Sequence, residues 1–399
     1  MNKPQFRTLL EKHLAPMLSG SKIQNAPQSQ QSRSITAFET PVSLFVKPDT
    51  TTIWRLRLKR SQRWDPSEKR LIEIFIRQLA AISELANGKY FDNLLATVPQ
   101  QAIAEFLGVK AKAVLLESMQ RFETLAARTY EGHQITSALG ITGSVGYQTV
   151  RLDELWKEDF SMVLANGIDT MYVSGSDGRI FNIAALASTE NAAYAPHRFG
   201  AIANWCDVIN RVALALNRNG EILVFKDKKL QFAKRRGSWQ FYSHEPVLRQ
   251  FGYGLRRRLK EAIYETCLDV SFARTGGCIA VVGSKNASRV DEYVSRDDII
   301  AEGQSTKTRL LSKAIRGAVF PAIDRRLRLE LASMDGATII GHQGNVLAAG
   351  AIVKVPSGSS GGGGRRAAAR QLSKLGLGIK ISSDGPVLGF RKKKTVFSF

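Results

Sequence analysis

The order of apolar and polar positions divides the chain into a helical first part and a mixed later part. In "WDPSEKRLIEIFIRQLAAI" (64–82), Leu71, Phe75, Leu79 and Ile82 fall on one face at helical spacing. Asp65 is placed to cap the first amides, Pro66 suits the first helical position, and Glu68 completes a capping box. Residues 97–130 keep a similar interval and predict more helix, and the glycine-containing "SALGITGSVGY" (137–147) reads as a boundary. Before this region, a short amphipathic segment leads into 19–50, rich in Ser, Gln, Pro and Thr, which predicts an extended or mobile arm.

From about residue 150 the pattern alternates between helix and strand. "LDELWKEDFSMVLANG" (152–167) predicts a helix ended by Gly167 in a left-handed cap. Four times an apolar strand meets a polar residue plus Gly and returns: at Asp177-Gly178, Asn219-Gly220, Gln343-Gly344 and Asp384-Gly385. Asn-Gly and Asp-Gly are strong hairpin signals because both turn positions need positive φ. Two hairpins fall in 150–245 and two in 330–399, split by a helix over 255–273. The fold class is therefore mixed α/β. The expected organisation is an arm (1–50), a helical region (51–147), an α/β module (148–250) and a second α/β domain (251–399) with a mixed sheet flanked by helices.

Composition changes this picture in one respect. At 399 residues, 44% hydrophobic and 23% charged, the chain is ordinary globular material, but 57 Lys and Arg against 35 Asp and Glu leave +22. Such a field attracts polyanions. The cations come in clusters at 55–63, 226–236, 256–258, 324–328 and 391–394; singly each suits a basic helix or strand face, and together they leave nucleic-acid contact open. Cys206, Cys267 and Cys278 lie far apart, without metal or disulfide spacing, which suits a reducing cytoplasm. With no apolar run near the ~18 residues of a membrane span and no signal-peptide core, the expectation is a soluble cytoplasmic protein.

GxxxxGK[ST] and GxSxG are missing, and the five histidines have no metal spacing, so a Ser–His–Asp or zinc hydrolase is a poor fit. Four short elements near the C-terminus carry the candidate chemistry. Gly276 and Gly277 run from a helix into the strand "CIAVV". Asp335, Gly336 and Ala337 precede another strand. In "SGSSGGGGRRAAARQLSKLG" (357–376), Gly362, Gly363 and Gly364 lead to Arg365, Arg366 and an alanine-rich helix. Glycines let backbone amides converge on phosphate oxygens, arginine forks bind them bidentately, and a helix start adds its dipole. The same residues would equally make a slack hairpin connection. Ser382, Ser383 and Asp384 end a strand before Gly385.

In order and spacing, these elements resemble the diadenylate cyclase domain of DisA-type proteins, which make cyclic di-AMP from two ATP. That family has a Gly-Ala-Leu-Ile strand, then Asp-Gly-Ala, then Gly-Thr-Arg-His-Arg-Ala-Ala opening a helix, then a strand ending in Ser-Glu-Glu. Here Gly276-Gly277-Cys278-Ile279 stands for the first and Asp335-Gly336-Ala337 keeps the second. Gly364, Arg365 and Arg366 occupy the Arg-His-Arg positions, and Ser383 and Asp384 replace the two glutamates. The resemblance covers roughly 255–399. It implies a nucleotidyltransferase that condenses two nucleoside triphosphates, ATP first among them, into a cyclic dinucleotide second messenger. Two chains would meet face to face, with Asp335 holding Mg²⁺ or Mn²⁺. Gly336 and Ala337 would let the nucleotide approach, and Arg365 and Arg366 would bind the triphosphate. Segment 148–250 resembles the sensor module of the branch tied to bacterial stress or phage-defence signalling. Two alternatives stand beside this one: a degenerate nucleotide or messenger binder, and a basic nucleic-acid-binding protein.

Overall fold

A computed structural model describes residues 2–27, 34–85, 91–146, 149–158, 161, 164–186, 192–252, 254–356 and 363–399. It divides into two compact units, 1–243 and 244–399, seven residues before the expected boundary at 250/251. Among the described residues no helix is long and apolar enough to cross a membrane.

The first unit mixes helices with two larger sheets. Helix Pro66–Leu85 starts as its sequence dictates: Asp65 Oδ1 accepts from Ser67 N (2.9 Å), and Glu68 Oε2 accepts from Asp65 N (2.8 Å). Its Leu71, Phe75 and Leu79 are buried, and Ile82 packs against the same cluster. Helices Phe91–Leu107 and Lys112–Ala126 follow. The segment expected as an arm is structured where it is described. A helical run over 3–17 buries Phe6, Leu10, Leu14 and Met17, and a four-stranded sheet runs in the order Lys22–Asn25, Leu56–Lys59, Ser43–Val46, Thr36–Thr40. A few apolar side chains at helical and alternating spacing supplied the anchors that overall composition hid; residues 28–33 lie outside the described residues.

The seven-stranded sheet of this unit runs Ser238–Phe241, Lys229–Arg235, Ile222–Lys226, Val212–Leu216, Ser137–Ile141, Thr170–Ser174, Ile180–Ala185. Ser137–Ile141, expected as a boundary, is a fully buried interior strand. Gly140 suggested a loop because of its type, yet it is there for packing: a β-carbon on it would lie 2.7 Å from Cη2 of Trp205. The helix expected over 152–167 is α-helical only at Leu152–Leu155 among the described residues. Ser161 Oγ donates to the Leu155 and Glu158 carbonyls (2.8 and 2.6 Å), a local bond that competes with helix continuation. Gly167 does take φ +75°, in a turn into the next strand, where its amide donates to Thr170 O (2.9 Å).

The second unit carries one six-stranded sheet. Its strands are β1 (Gly277–Val282), β2 (Ala337–Gly341), β3 (Val346–Ala351), β4 (Gly376–Ile381), β5 (Val387–Arg391) and β6 (Lys394–Ser398). The order across the sheet is β3-β2-β1-β4-β5-β6, with β1 and β2 parallel and every other pair antiparallel. Its helices are α1 (His244–Gln250), α2 (Arg257–Ala273), α3 (Thr306–Ile315), α4 (Arg325–Ser333) and α5 (Gly364–Leu372). Helices α2 and α4 are joined by buried ion pairs. Arg325 grips Asp269 with two bonds (2.7 and 2.9 Å), and Arg328 Nη2 reaches Glu265 Oε2 (2.8 Å). All four expected hairpins form.

Candidate functional site

Strand direction brings the four glycine-bearing elements to one end of the β1 sheet. Because β1 and β2 run parallel, Gly277 and Ala337 start at the same edge; because β4 runs antiparallel, its last residue Ile381 faces Gly277. Continued one residue past the strand ends, this register sets Asp335 and Ser382 on either side of Gly276. With strands ~4.8 Å apart, their backbones stand about 10 Å from each other.

Gly276 is the point of closest approach. It takes φ +71°, and a β-carbon on it would lie 2.5 Å from Arg365 Nη1 and 2.9 Å from the Ser383 amide nitrogen. The first, third and fourth elements therefore touch at one residue that tolerates no side chain. Gly277 is packed as tightly on its other side, against the Ala332 carbonyl at the end of α4. Thr275 Oγ1 bonds Ser333 Oγ at 2.7 Å, which ties this edge to the approach of Asp335.

Asp335 is exposed, with its Oδ1 3.1 Å from the Gly336 amide. Gly336 takes φ +98° where a β-carbon would run into Gly350 C (2.6 Å) and Ala351 O (2.7 Å), and Ala337 is fully buried. The turn is thus pressed onto β3 with its carboxylate outward. One exposed carboxylate fits the way Mg²⁺ and Mn²⁺ are held in nucleotide sites, by one or two carboxylates completed by phosphate oxygens and water.

Helix α5 begins at Gly364 after Gly363, which takes φ +81°. Among the described residues nothing lies within 4 Å of a β-carbon on either glycine, and no side chain caps the helix start. Gly362 and the rest of 357–362 lie outside the described residues. Arg365 and Arg366 are half-buried. Arg366 Nε is a buried donor with no hydrogen-bond partner among the described residues. Burial pushes the Cys278 thiol up to about 12 against the opposing charge of Arg365, whose guanidinium is close enough to act on it. Ser383 is exposed and Ser382 half-buried; the Ser382 carbonyl accepts from Gly385 N (2.9 Å), and Asp384 Oδ1 is buried in this turn.

Lys307 was not legible as a neighbour of this edge. It comes from α3, and its Nζ donates to the Gly350 carbonyl (3.0 Å) while pairing with Asp298, whose other oxygen accepts from Ile352 N (3.1 Å). The pair braces the strand against which Gly336 packs. No sequence signal marks it, since α3 lies in a connection with none of the four motifs.

Four of the five basic clusters are at least partly taken up within the chain. Arg57 pairs with Glu39, Arg60 with buried Glu68, Lys234 with Glu123 and Arg235 with Glu221. Arg257 bonds Glu245 and Glu261, and Arg325 and Arg328 hold the α2–α4 contact. Residues 391–394 have no carboxylate partner among the described residues; Arg391 Nη2 reaches only the Gln250 carbonyl (3.1 Å).

No protein-family model matches the chain, and no curated protein matches it.

Proposed function

We propose that the second unit is a diadenylate-cyclase-like nucleotidyltransferase, which condenses two nucleoside triphosphates, ATP first among them, into a cyclic dinucleotide. The observation that carries this reading is the contact of Gly276 with both Arg365 and Ser383 at the edge that also bears Asp335. Phosphoryl transfer needs alignment and charge neutralisation more than covalent help. Arg365, Arg366 and the α5 amides would hold one triphosphate; Gly336 and Ala337 would let the ribose come against the backbone. Mg²⁺ or Mn²⁺ bound at Asp335 would neutralise phosphate charge and make the 3′-hydroxyl more acidic. In each half-reaction the 3′-hydroxyl of one nucleotide gives up its proton to solvent and its oxygen bonds to the α-phosphorus of the other. The bond from that phosphorus to the β-phosphate bridge breaks, and pyrophosphate leaves. A second copy facing the first would supply the other nucleotide, and the first unit would act as the sensor that controls the reaction.

A second reading is nucleotide binding without turnover. It is favoured by Arg366, whose Nε is turned into the protein, so that α5 presents fewer free donors than two arginines suggest. Internal pairing of the basic clusters makes nucleic acid the weaker partner. The first test is calorimetric titration of ATP with Mn²⁺ into the full chain and into Arg365→Ala. Loss of a charge-assisted phosphate contact should weaken binding about tenfold or more; equal affinity would remove ATP from this edge.

A further inference from the structure

The opposite end of the same sheet holds a cavity of about 430 Å³, within the size range of small-molecule sites. It lies where β1 ends and β4 begins, ~17 Å along the strands from Gly276 at a rise of about 3.3 Å per residue. Its cationic lining comes from Lys374, Arg391 and Lys392, and among the described residues none that lines it is acidic. Lys374, Arg391 and Lys392 have no carboxylate partner among the described residues, unlike Arg57, Arg60, Lys234, Arg235, Arg257, Arg325 and Arg328 in the other clusters. Phe251 and Val281 are buried and add apolar wall.

The backbone that presents these lysines is strained. Lys392 and Lys393 form the two-residue turn between β5 and β6 with φ 47° and 65°. Left-handed backbone is costly for an L residue without a short polar side chain, and Asn-Gly would fill such a turn without that cost. Charge is thus kept at a position where turn chemistry favours its removal. On the other wall, the nine-residue 3₁₀ helix Ser284–Glu292 opens beside Gly283 with no side-chain cap, so its N-terminal end adds to the positive field.

We propose that this cavity is a second anion site, which takes a phosphate-bearing small molecule of nucleoside-monophosphate size. It is separate from the Asp335–Arg365 edge and does not depend on cyclase activity there. The test uses the full chain carrying Arg365→Ala, so that binding at the other edge is weakened. AMP, inorganic phosphate and adenosine are titrated by calorimetry into this chain and into one that also carries Lys374→Gln and Lys392→Asn. Asn tolerates the left-handed backbone while removing charge. Expected are AMP binding to the Arg365→Ala chain and a loss of about tenfold or more in the triple variant. Competition by inorganic phosphate would assign the site to phosphate alone; AMP binding that phosphate does not displace, with no adenosine binding, would assign it to a nucleotide. Circular dichroism melting checks that the triple variant is folded. No AMP or phosphate binding to the Arg365→Ala chain at millimolar concentration overturns the proposal, as does unchanged affinity in a folded triple variant.

Discussion

The two ends of the β1 sheet gather positive charge by different means. At the Asp335 end, glycines remove side chains so that Arg365 and Ser383 meet at Gly276, and the carboxylates of exposed Asp335 and half-buried Asp384 belong to the same edge. At the Lys392 end glycines are pressed as closely, Gly376 against the Val281 carbonyl, but cations without carboxylate partners surround an open cavity with no acid among its described lining residues. An edge that carries both carboxylates and arginines suits a reaction in which a metal and phosphates must be aligned. A cavity of like charges suits retention of an anion. On the proposed reading, the difference separates a place for chemistry from a place for binding.

Substitutions should break the two ends together or singly. Asp269→Ala leaves Arg325 as an uncompensated charge in the helix layer behind the sheet and should cost about 3–5 kcal/mol. Measured by urea unfolding, it should lower ATP and AMP binding in parallel, because it acts on the whole unit. Gly276→Ala forces a β-carbon onto Arg365 in a left-handed conformation and should cost about 2–4 kcal/mol. In the fraction that remains folded it should abolish ATP binding at the Asp335 end and spare AMP binding at the cavity; equal loss at both would merge the two ends.

The buried thiols give a smaller, pH-dependent effect. Burial raises all three, Cys278 from 9.0 to about 12, so the folded protein keeps protons that the unfolded chain releases. Their contribution is full below pH 9 and is lost as pH rises towards 12. A thiol reagent at pH 8 should therefore label none of the three until urea unfolds the chain; labelling of Cys278 in the folded protein would mean that the Gly276 edge opens. The smallest effect is expected at the cavity turn, where Lys393→Gly relieves left-handed strain and should stabilise by roughly 1 kcal/mol without changing ATP binding.

Much of this architecture was legible where a residue type meets a backbone need. Asp-Gly and Asn-Gly located hairpins, and Asp65, Pro66 and Glu68 located a helix start. The turns at Asp227-Lys228 and Lys392-Lys393 escaped notice because lysines occupy positive-φ positions that sequence rules assign to Asn and Gly. Ser137–Ile141 escaped because its glycine serves the Trp205 ring rather than a loop. For the candidate site, the four motifs could be named in order, but their gathering at the Gly276 end of the sheet depends on one parallel and one antiparallel pairing that the sequence does not state. The cavity was illegible for a similar reason: its lining comes from five separated segments, each unremarkable by itself.

Mass spectrometry of the products from a mixed nucleoside triphosphate reaction with Mn²⁺ or Mg²⁺ tests the central claim most directly, with wild-type protein and Asp335→Ala side by side. The account predicts a cyclic dinucleotide and pyrophosphate from the wild type, and a loss of about a thousandfold or more in Asp335→Ala, whose exposed side chain can be removed without unfolding. No cyclic product in any nucleotide and metal combination, or equal product from both proteins, would contradict it.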